Sequence, residues 1–206
     1  MTLVDTLDDL LPQTQCRQCG FEGCRAYAEA LAEAGAAHNR CAPGGAAGIA
    51  LLAEALGRPV LPLDPAYGRE VPFAVARIRA ADCIGCGWCT RVCPTDAVAG
   101  APKHLYGIIE ADCTGCSLCL AACPMDCIEL VENGRTWTLA DAHRARTLHQ
   151  RAKTRRAAQK AEENARLERL RSTAPGGKST LIADIMAKAR AVNAARQTQK
   201  KTTSDD

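Results

Sequence analysis

One cysteine-rich run occurs twice in this sequence, and no other feature limits the possible folds as strongly. The first copy, residues 78–98, reads IRAADCIGCGWCTRVCPTDAV, and the second, residues 108–128, reads IIEADCTGCSLCLAACPMDCI. Ten of the 21 aligned positions are identical, including all four cysteines, the aspartate before the first and the proline after the last. A chance match would not repeat in register, so the sequence predicts two equivalent loops that bind the same kind of ligand.

The spacing in each copy, C-x2-C-x2-C-x3-C-P, fits an iron–sulfur cluster. Three thiolates two residues apart on a tight loop can bind three corners of a cube. The chain then enters a helical turn, so the fourth cysteine points towards a different cube. The run therefore resembles the bacterial 2[4Fe-4S] ferredoxins over residues of about 74–132, which implies their pseudo-twofold βαββαβ fold. The resemblance also implies crossed ligation, with one cluster bound by Cys83, Cys86, Cys89 and Cys123 and the other by Cys93, Cys113, Cys116 and Cys119.

Zinc is the main alternative for these cysteines, because pairs with the spacing C-x2-C also bind zinc. Zinc gives no reason for a third cysteine at the same spacing or for the proline after the fourth, so we favour two [4Fe-4S] clusters. The remaining cysteine of the second copy, Cys127, aligns with Ala97 of the first. We interpret Cys127 as a small buried packing residue rather than a substitute ligand, because all eight ligand positions are filled.

Composition agrees with small domains organised by metal–thiolate bonds. Only 3% of the 206 residues are aromatic, whereas 13 residues are cysteine. Aromatic side chains supply much of the buried area in an ordinary core, so metal binding is expected to stabilise these domains in their place. Trp88, one of the few aromatic residues, lies between two predicted ligands, and we expect it to shield a cluster from water.

Targeting signals are not recognisable in the sequence. Three Asp occur among the first nine residues, without the basic region of a signal peptide. The most apolar stretch, residues 46–56, is shorter than the roughly 18–20 residues of a membrane-spanning helix and contains Glu54. We therefore expect a cytoplasmic protein, in which thiols stay reduced and disulfides are disfavoured.

A third set of four cysteines lies near the N-terminus, with the spacing C-x2-C-x4-C-x16-C. Gly20 and Gly23 allow the backbone to fold closely around a bulky group. The third cysteine of the set opens a predicted helix, whose N-terminal dipole favours a negatively charged cluster. Spacing alone leaves zinc and an iron–sulfur cluster open, and we favour the cluster. The four residues are Cys16, Cys19, Cys24 and Cys41.

The order of the three cysteine sets is similar to that of a known family. The stretch CRQCGFEGC looks like a small [4Fe-4S] domain, and together with the ferredoxin-like run it resembles the B subunit of the Rnf/Rsx electron-transport complex over residues of about 3–136. The resemblance implies three [4Fe-4S] clusters that pass single electrons from a reduced donor to a partner oxidoreductase. That family usually begins with a membrane-anchoring helix. Here some fifteen polar-leaning residues precede Cys16, so we expect a soluble relative, cytoplasmic or peripheral at the inner face of the membrane.

Charge and composition divide this predicted α+β protein into four segments. Residues 1–139 hold 10 basic and 16 acidic residues, whereas residues 140–206 hold 16 basic and 7 acidic ones. Four prolines mark an extended linker before the duplicated run. The predicted segments are a small helical iron–sulfur domain at 1–58, the linker at 59–72, the ferredoxin-like module at 73–136 and a basic, helical or partly disordered tail at 137–206.

The tail has the composition of a solvent-exposed helix, which we expect to start near residue 140, stop near Ser172 and resume near Ser179. We expect it to dock on the acidic body, on an acidic redox partner or on an anionic lipid surface. Nucleic acid is disfavoured, because no aromatic residue interleaves the basic run after Trp137, but a DNA-associated iron–sulfur protein remains the alternative function. No nucleophile–base pair is recognisable, so we predict no catalytic residue and expect turnover chemistry in the partners.

Overall fold

The structure is a computed structural model that describes residues 2–173 and 183–192. The chain divides into two compact units, Met1–Arg155 and Arg156–Asp206. The first unit contains every cysteine and combines short helices with two small antiparallel sheets. The prediction of a mixed α and β protein is therefore confirmed at this level.

The N-terminal part contains three helices, α1 (Leu3–Leu10), α2 (Cys24–Glu33) and α3 (Gly45–Leu56). The sequence predicts helices over residues 5–11, which end before Pro12, and over residues 25–34, which end before Gly35, and the first two helices agree with these bounds to within two residues at each end. Helix α1 begins with a capping box, in which the Thr2 hydroxyl accepts from the Asp5 N–H and the Asp5 carboxylate accepts from the Thr2 N–H. Apolar side chains from the three helices form a common core. Its largest fully buried members are Leu7, Leu11, Tyr27, Leu31, Ile49 and Leu52.

The proline-rich linker is hydrogen-bonded to the N-terminal part. The Asn39 side chain donates to the Pro62 carbonyl oxygen at 2.8 Å. The Ala46 N–H, near the start of α3, donates to the Glu70 carboxylate at 3.1 Å. These bonds fix the path of a segment whose sequence indicated only an extended connection. Short 3-10 turns occur at Ala42–Gly44, Pro65–Tyr67 and Glu110–Asp112.

Residues 73–136 fold as two successive strand–helix–strand units. The first and last strands pair antiparallel with Ile78 opposite Ile128, and the two middle strands pair with Val98 opposite Ile108. These two pairs occupy equivalent positions of the repeat. The elements are β1 (Ala74–Ile78), α4 (Trp88–Val92), β2 (Val98–Ala99), β3 (Gly107–Ile108), α5 (Leu118–Ala121) and β4 (Ile128–Glu132).

Equivalent glycines shape the two cysteine loops. Gly85 and Gly115 have φ angles of 68° and 65°. A Cβ atom at Gly85 would lie 2.7 Å from the His104 carbonyl oxygen, and one at Gly115 would lie 2.5 Å from the Ala74 carbonyl oxygen. Any side chain here would clash with backbone and strain a left-handed conformation. Each loop therefore lies directly against a neighbouring segment of the chain.

A long helix, α6 (Leu139–Thr173), follows the module, and its first part up to residue 155 belongs to the first unit. The side chains of Ala142, Ala145 and Ala152 are buried, and such small residues let a helix approach its neighbours closely. Just before the helix, the Trp137 indole N–H donates to the Pro12 carbonyl oxygen at 3.0 Å. This end of the predicted tail thus packs on the body.

Arginines on the same part of α6 bind carboxylates of the body. Arg146 pairs with Asp8 and Asp9 of the N-terminal part. Two further ion pairs, Arg144–Asp112 and Arg155–Asp96, reach the module. The opposite charges of tail and body predicted contacts of this kind, and residues 139–155 make them.

The described part of the second unit is exposed helix. No side chain is buried in residues 156–171 or 183–192, and neighbouring charges pair along the helix, as in Arg166–Glu163 at 3.4 Å. Helix α6 ends at Thr173, close to the predicted stop, whereas the predicted restart near Ser179 lies outside the described residues. Over the two described stretches, no helix combines the length and apolar character that a bilayer crossing requires.

Candidate metal centres

Three cavities in the first unit are lined by the three predicted cysteine sets, four cysteines from each. We call them the outer, inner and N-terminal cavities. The outer cavity is lined by Cys83, Cys86, Cys89 and Cys123, the inner cavity by Cys93, Cys113, Cys116 and Cys119, and the N-terminal cavity by Cys16, Cys19, Cys24 and Cys41.

The outer and inner cavities each take one cysteine from the other copy of the repeat. Cys93 follows α4 with an extended backbone, at φ −64° and ψ 118°, so the chain turns away from the first-copy loop. It lines the inner cavity among second-copy cysteines, whereas Cys123, which follows α5, lines the outer cavity. The fold thus brings together the crossed sets that the ferredoxin resemblance implies.

The N-terminal cavity is supported by a row of buried amides that the sequence analysis missed. The Gln15 side-chain oxygen accepts from the Cys24 N–H at 3.1 Å, at the start of α2. The Gln15 amide donates to Gln13 at 2.9 Å, and Gln13 donates to the Asp8 carbonyl oxygen at 2.6 Å. Both glutamines have positive φ angles, which only tertiary contacts stabilise for such residues. Their left-handed backbone leaves no simple signal in the sequence.

Burial raises the pKa of several of these thiols. It raises the pKa of Cys24 and Cys119 to about 12 and that of Cys116 to about 11. Negative charge on the neighbouring cysteines acts in the same direction, as Cys116 and Cys113 do on Cys119. In the metal-free chain these groups are therefore protonated at neutral pH. Metal ligands must be thiolates, so metal binding has to displace these protons.

Residues at aligned positions of the two copies differ in exposure around the two cavities. Ile84 and Met125 line the outer cavity and are 59% and 44% exposed. The aligned residues of the other copy, Thr114 and Thr95, line the inner cavity and are 4% and 3% exposed. Cys86, in the outer set, is also exposed, whereas the cysteines of the inner set are buried or half-buried. Two runs with the same cysteine spacing therefore differ in access to solvent at these positions.

One hydrogen bond joins the walls of the inner and N-terminal cavities. The Thr114 hydroxyl, in the inner wall, donates to the Thr14 carbonyl oxygen at 3.0 Å, and Thr14 lines the N-terminal cavity. Sequence patterns gave no sign of this contact, because the two residues lie 100 positions apart.

Cys127 adds a fifth thiol to the outer cavity. It is buried, and its Sγ lies 3.5 Å from Cys123 Sγ. Burial, followed by its contact with Cys123, raises the pKa of Cys127 to about 12. The burial expected from the sequence is present, but the residue also contacts a predicted ligand.

The expected shielding role of Trp88 is not supported. The side chain is half exposed, and it does not line the outer cavity. Its ring instead contacts the Arg91 guanidinium, 5.1 Å from the ring centroid. Residue 88 opens α4 and its side chain lies on the solvent side, so proximity to the ligands in sequence was misleading.

The cavities have the donor set of an iron–sulfur protein. Four cysteines line each cavity, and cysteine thiolates are the usual ligands of [4Fe-4S] clusters. Backbone N–H groups also face the sulfurs, as where Ala76 N–H donates to Cys113 Sγ at 3.4 Å. These features fit a cluster with four thiolate ligands.

Two family profiles match the cysteine-bearing part of the chain. One, described as "4Fe-4S dicluster domain", matches residues 76–130, which hold the outer and inner cavities. The other, described as "Putative Fe-S cluster", matches residues 11–43, which hold the N-terminal set. The fold, the cavities and these matches define an iron–sulfur protein with a 4Fe-4S dicluster domain.

Similar proteins, each named as the B subunit of an ion-translocating oxidoreductase complex, occur in several bacteria. The protein from Azoarcus sp. (strain BH72) is 49% identical over 108 residues, 52% of this chain and 59% of the relative. Those from Alcanivorax borkumensis and Ectopseudomonas mendocina are 57% and 53% identical over 131 and 134 residues, which cover 63% and 65% of this chain and 67% and 69% of the relatives. The chain thus spans about three fifths to two thirds of the length of these relatives. It belongs to the family formed by the B subunits of ion-translocating oxidoreductase complexes.

Proposed function

We propose that the three cavities hold three [4Fe-4S] clusters, and that this chain passes single electrons through them from a reduced donor to a partner oxidoreductase. The observation that carries the proposal is the convergence of four thiols on each of three cavities. A [4Fe-4S] cluster takes four such ligands. The crossed origin of the outer and inner sets, and the order of the six elements around them, support a ferredoxin-like pseudo-twofold module.

The cysteine pattern favours clusters over zinc. Zinc takes four ligands and gives no reason for a third cysteine at the same short spacing in each copy or for the proline after the fourth. For the N-terminal cavity, the profile match over residues 11–43, described as "Putative Fe-S cluster", supports a cluster as well.

The residues around the cavities have defined tasks. When bound, the clusters supply the centres that accept and release single electrons. The chain positions the thiolates, buries most of them from water and directs N–H groups at sulfur, as Ala76 does to Cys113. Such hydrogen bonds and the degree of solvent exposure set the reduction potential of a cluster.

The contacts between the cavities indicate a linear path. The N-terminal cavity adjoins the inner cavity through the Thr14–Thr114 hydrogen bond. The inner cavity adjoins the outer one through α4, which carries Cys89 of the outer set and is followed by Cys93 of the inner set. Only the outer set contains an exposed cysteine, Cys86. We therefore place the exchange of electrons with the partner at the outer cavity.

The names of the relatives suggest that the redox partners are other subunits of the same complex. We propose that this chain is a subunit of an ion-translocating oxidoreductase complex at the inner face of the membrane, whose other subunits supply and accept the electrons. The helix over residues 156–171 is exposed and holds five basic and three acidic residues. It provides a surface that would dock on an acidic partner or on anionic lipid.

The decisive experiment is metal and sulfide analysis of the full chain purified without oxygen. We expect about 12 iron and about 12 acid-labile sulfide ions per chain, since each cluster contains four of each. Zinc content serves as the internal control. Stoichiometric zinc without sulfide would overturn the proposal. About 8 iron and 8 sulfide ions, with zinc at the third site, would restrict it to the outer and inner cavities.

A further inference from the structure

The wall of the N-terminal cavity contains a buried hydroxyl group. Thr14 lines this cavity and is 5% exposed. Its Oγ1 atom is buried and makes no hydrogen bond within the residues that the structure describes. A hydroxyl that has lost its hydrogen bonds to water and gained none in the protein is unfavourable. We therefore expect Thr14 to bind the group that fills the cavity.

The backbone on both sides of Thr14 is held in place. The amides of Gln13 and Gln15 are bonded to each other, and Gln15 also accepts from the Cys24 N–H. The Thr14 carbonyl oxygen accepts from the Thr114 hydroxyl at 3.0 Å. A threonine side chain has few rotamers, so a fixed backbone leaves its hydroxyl little freedom to reach another acceptor. The position of this hydroxyl in the wall is thus set before the cavity is filled.

The other polar side chains of the wall, apart from the cysteines, have partners elsewhere. The Tyr27 hydroxyl donates to a backbone carbonyl oxygen at 2.8 Å and accepts from the Arg40 N–H at 3.3 Å. Arg17 is exposed and pairs with Glu22 at 3.1 Å. In the described part of the chain, the Thr14 hydroxyl is therefore the buried polar group of this wall, besides the thiols, that remains to be bonded.

We propose that the Thr14 hydroxyl donates a hydrogen bond to a sulfur atom of the N-terminal cluster and thereby raises the reduction potential of that cluster. The inference rests on the proposed function, because it requires a cluster in this cavity. A cluster with four thiolate ligands offers sulfur acceptors to its wall, and a donor at sulfur stabilises the reduced state more, since that state carries one more negative charge. The same residue therefore tunes this cluster and joins its wall to that of the inner cavity.

The test measures the reduction potential of each cluster in the full chain purified without oxygen, by redox titration followed by electron paramagnetic resonance. Two matched pairs differ in the hydroxyl at position 14: wild type against Thr14→Val, and Thr14→Ser against Thr14→Ala. In each pair, the member without the hydroxyl should have one cluster whose reduction is less favourable by about 3-fold to 10-fold, where 10-fold corresponds to 59 mV for one electron. The shifted signal should be the one missing from Cys16→Ala, which lacks a ligand of this cavity.

A threonine away from the cavities provides the control. The Thr147 hydroxyl donates to the His143 carbonyl oxygen at 3.0 Å within α6, and this residue lines none of the three cavities. Thr147→Val should therefore leave all potentials as in wild type. A shift equal to that of Thr14→Val would show a general effect of the substitution and overturn the inference.

Iron, sulfide and zinc counts separate failure of the inference from failure of the proposed function. With about 12 iron atoms bound, equal potentials within both matched pairs would overturn the inference and leave the clusters in place. A shift only in the signals missing from Cys93→Ala or Cys123→Ala would do the same. Wild type with about 8 iron atoms and zinc at the third site would remove the N-terminal cluster and the inference with it. If Thr14→Val fails to bind that cluster, the serine–alanine pair still decides.

Discussion

Exposed Ile84 and Met125 border the outer cavity, whereas buried Thr114 and Thr95 occupy the same positions around the inner one. The cysteine spacing of the two copies is identical, so the difference does not arise from the predicted ligands. It arises in part from contacts with the N-terminal part, where buried Thr114 donates to the Thr14 carbonyl oxygen. In this protein the repeat sets the cysteine positions, and contacts outside the repeat bury residues beside one of the cavities.

The contact with the N-terminal part also explains one difference between the two copies. Position 114 faces the Thr14 carbonyl oxygen, and an isoleucine there would leave a buried acceptor without a partner. Its counterpart, Ile84, faces solvent, where an apolar side chain carries no such penalty. The wall of the inner cavity is therefore polar where it meets the N-terminal part, and the wall of the outer cavity is apolar at the aligned, exposed position.

Removing one crossed ligand should have the largest effect on this comparison. We expect Cys93→Ala to lose the inner cluster and to lower the iron content from about 12 to about 8 atoms per chain, although the residue belongs to the first copy. Iron analysis and electron paramagnetic resonance of the reduced protein provide the measurement. The matched variant Cys123→Ala should reach the same iron content with the complementary spectrum. Identical residual spectra in the two variants would contradict crossed ligation.

A charge at the rim of the outer cavity should slow electron transfer to an anionic oxidant. In Ile84→Glu, a carboxylate replaces an exposed residue of the cavity wall. We expect the oxidation rate by ferricyanide, followed by stopped flow, to fall by about 10-fold at low salt and by less at high salt. Val60→Glu places the same charge on the exposed linker and should leave the rate unchanged. Equal slowing in both variants would mean that net charge, and not the site of exit, controls the rate.

Loosening the contact between α6 and the N-terminal part should have a smaller effect. Arg146, on α6, pairs with Asp8 and Asp9, and its guanidinium donates to the Asp8 carbonyl oxygen at 2.6 Å. We expect Arg146→Leu to cost about 1–3 kcal/mol, or roughly 2–4 °C of melting temperature per kcal/mol at a fixed scan rate. Arg166→Leu, which removes an exposed ion pair, is the control and should shift the melting temperature by about 1 °C or less. A melting temperature unchanged by Arg146→Leu would show that α6 is not held by this contact.

The smallest effect is expected from removing the Thr114–Thr14 hydrogen bond, which joins the walls of the inner and N-terminal cavities. Thr114→Val removes the hydrogen bond to Thr14 and should cost about 1 kcal/mol. Amide exchange over residues 12–16 should then accelerate by about 5-fold. Thr90→Val removes a local bond to Gly87, at 2.9 Å, and should leave exchange in that segment as it is. The same acceleration in both variants would argue against the link between cavities.

Local patterns predicted the first two helices well. The proline after Leu11 and the glycine after Ala34 act within a few positions, so they can be recognised without the fold. The sequence did not reveal how the cavities are supported. The amide row from Asp8 through Gln13 and Gln15 depends on left-handed backbone at non-glycine residues, which no composition rule indicates.

The sequence by itself determined how the cysteines are grouped, because their spacings span only a few residues and the repeat keeps its register; the ferredoxin resemblance predicted which four line each cavity of the module. Only the tertiary structure decided which residues around the two cavities are buried and which are exposed. Contacts such as Trp137–Pro12 and Arg146–Asp9 join residues more than 100 positions apart. These contacts form only when the folded elements pack against one another, so no short stretch of the sequence can predict them.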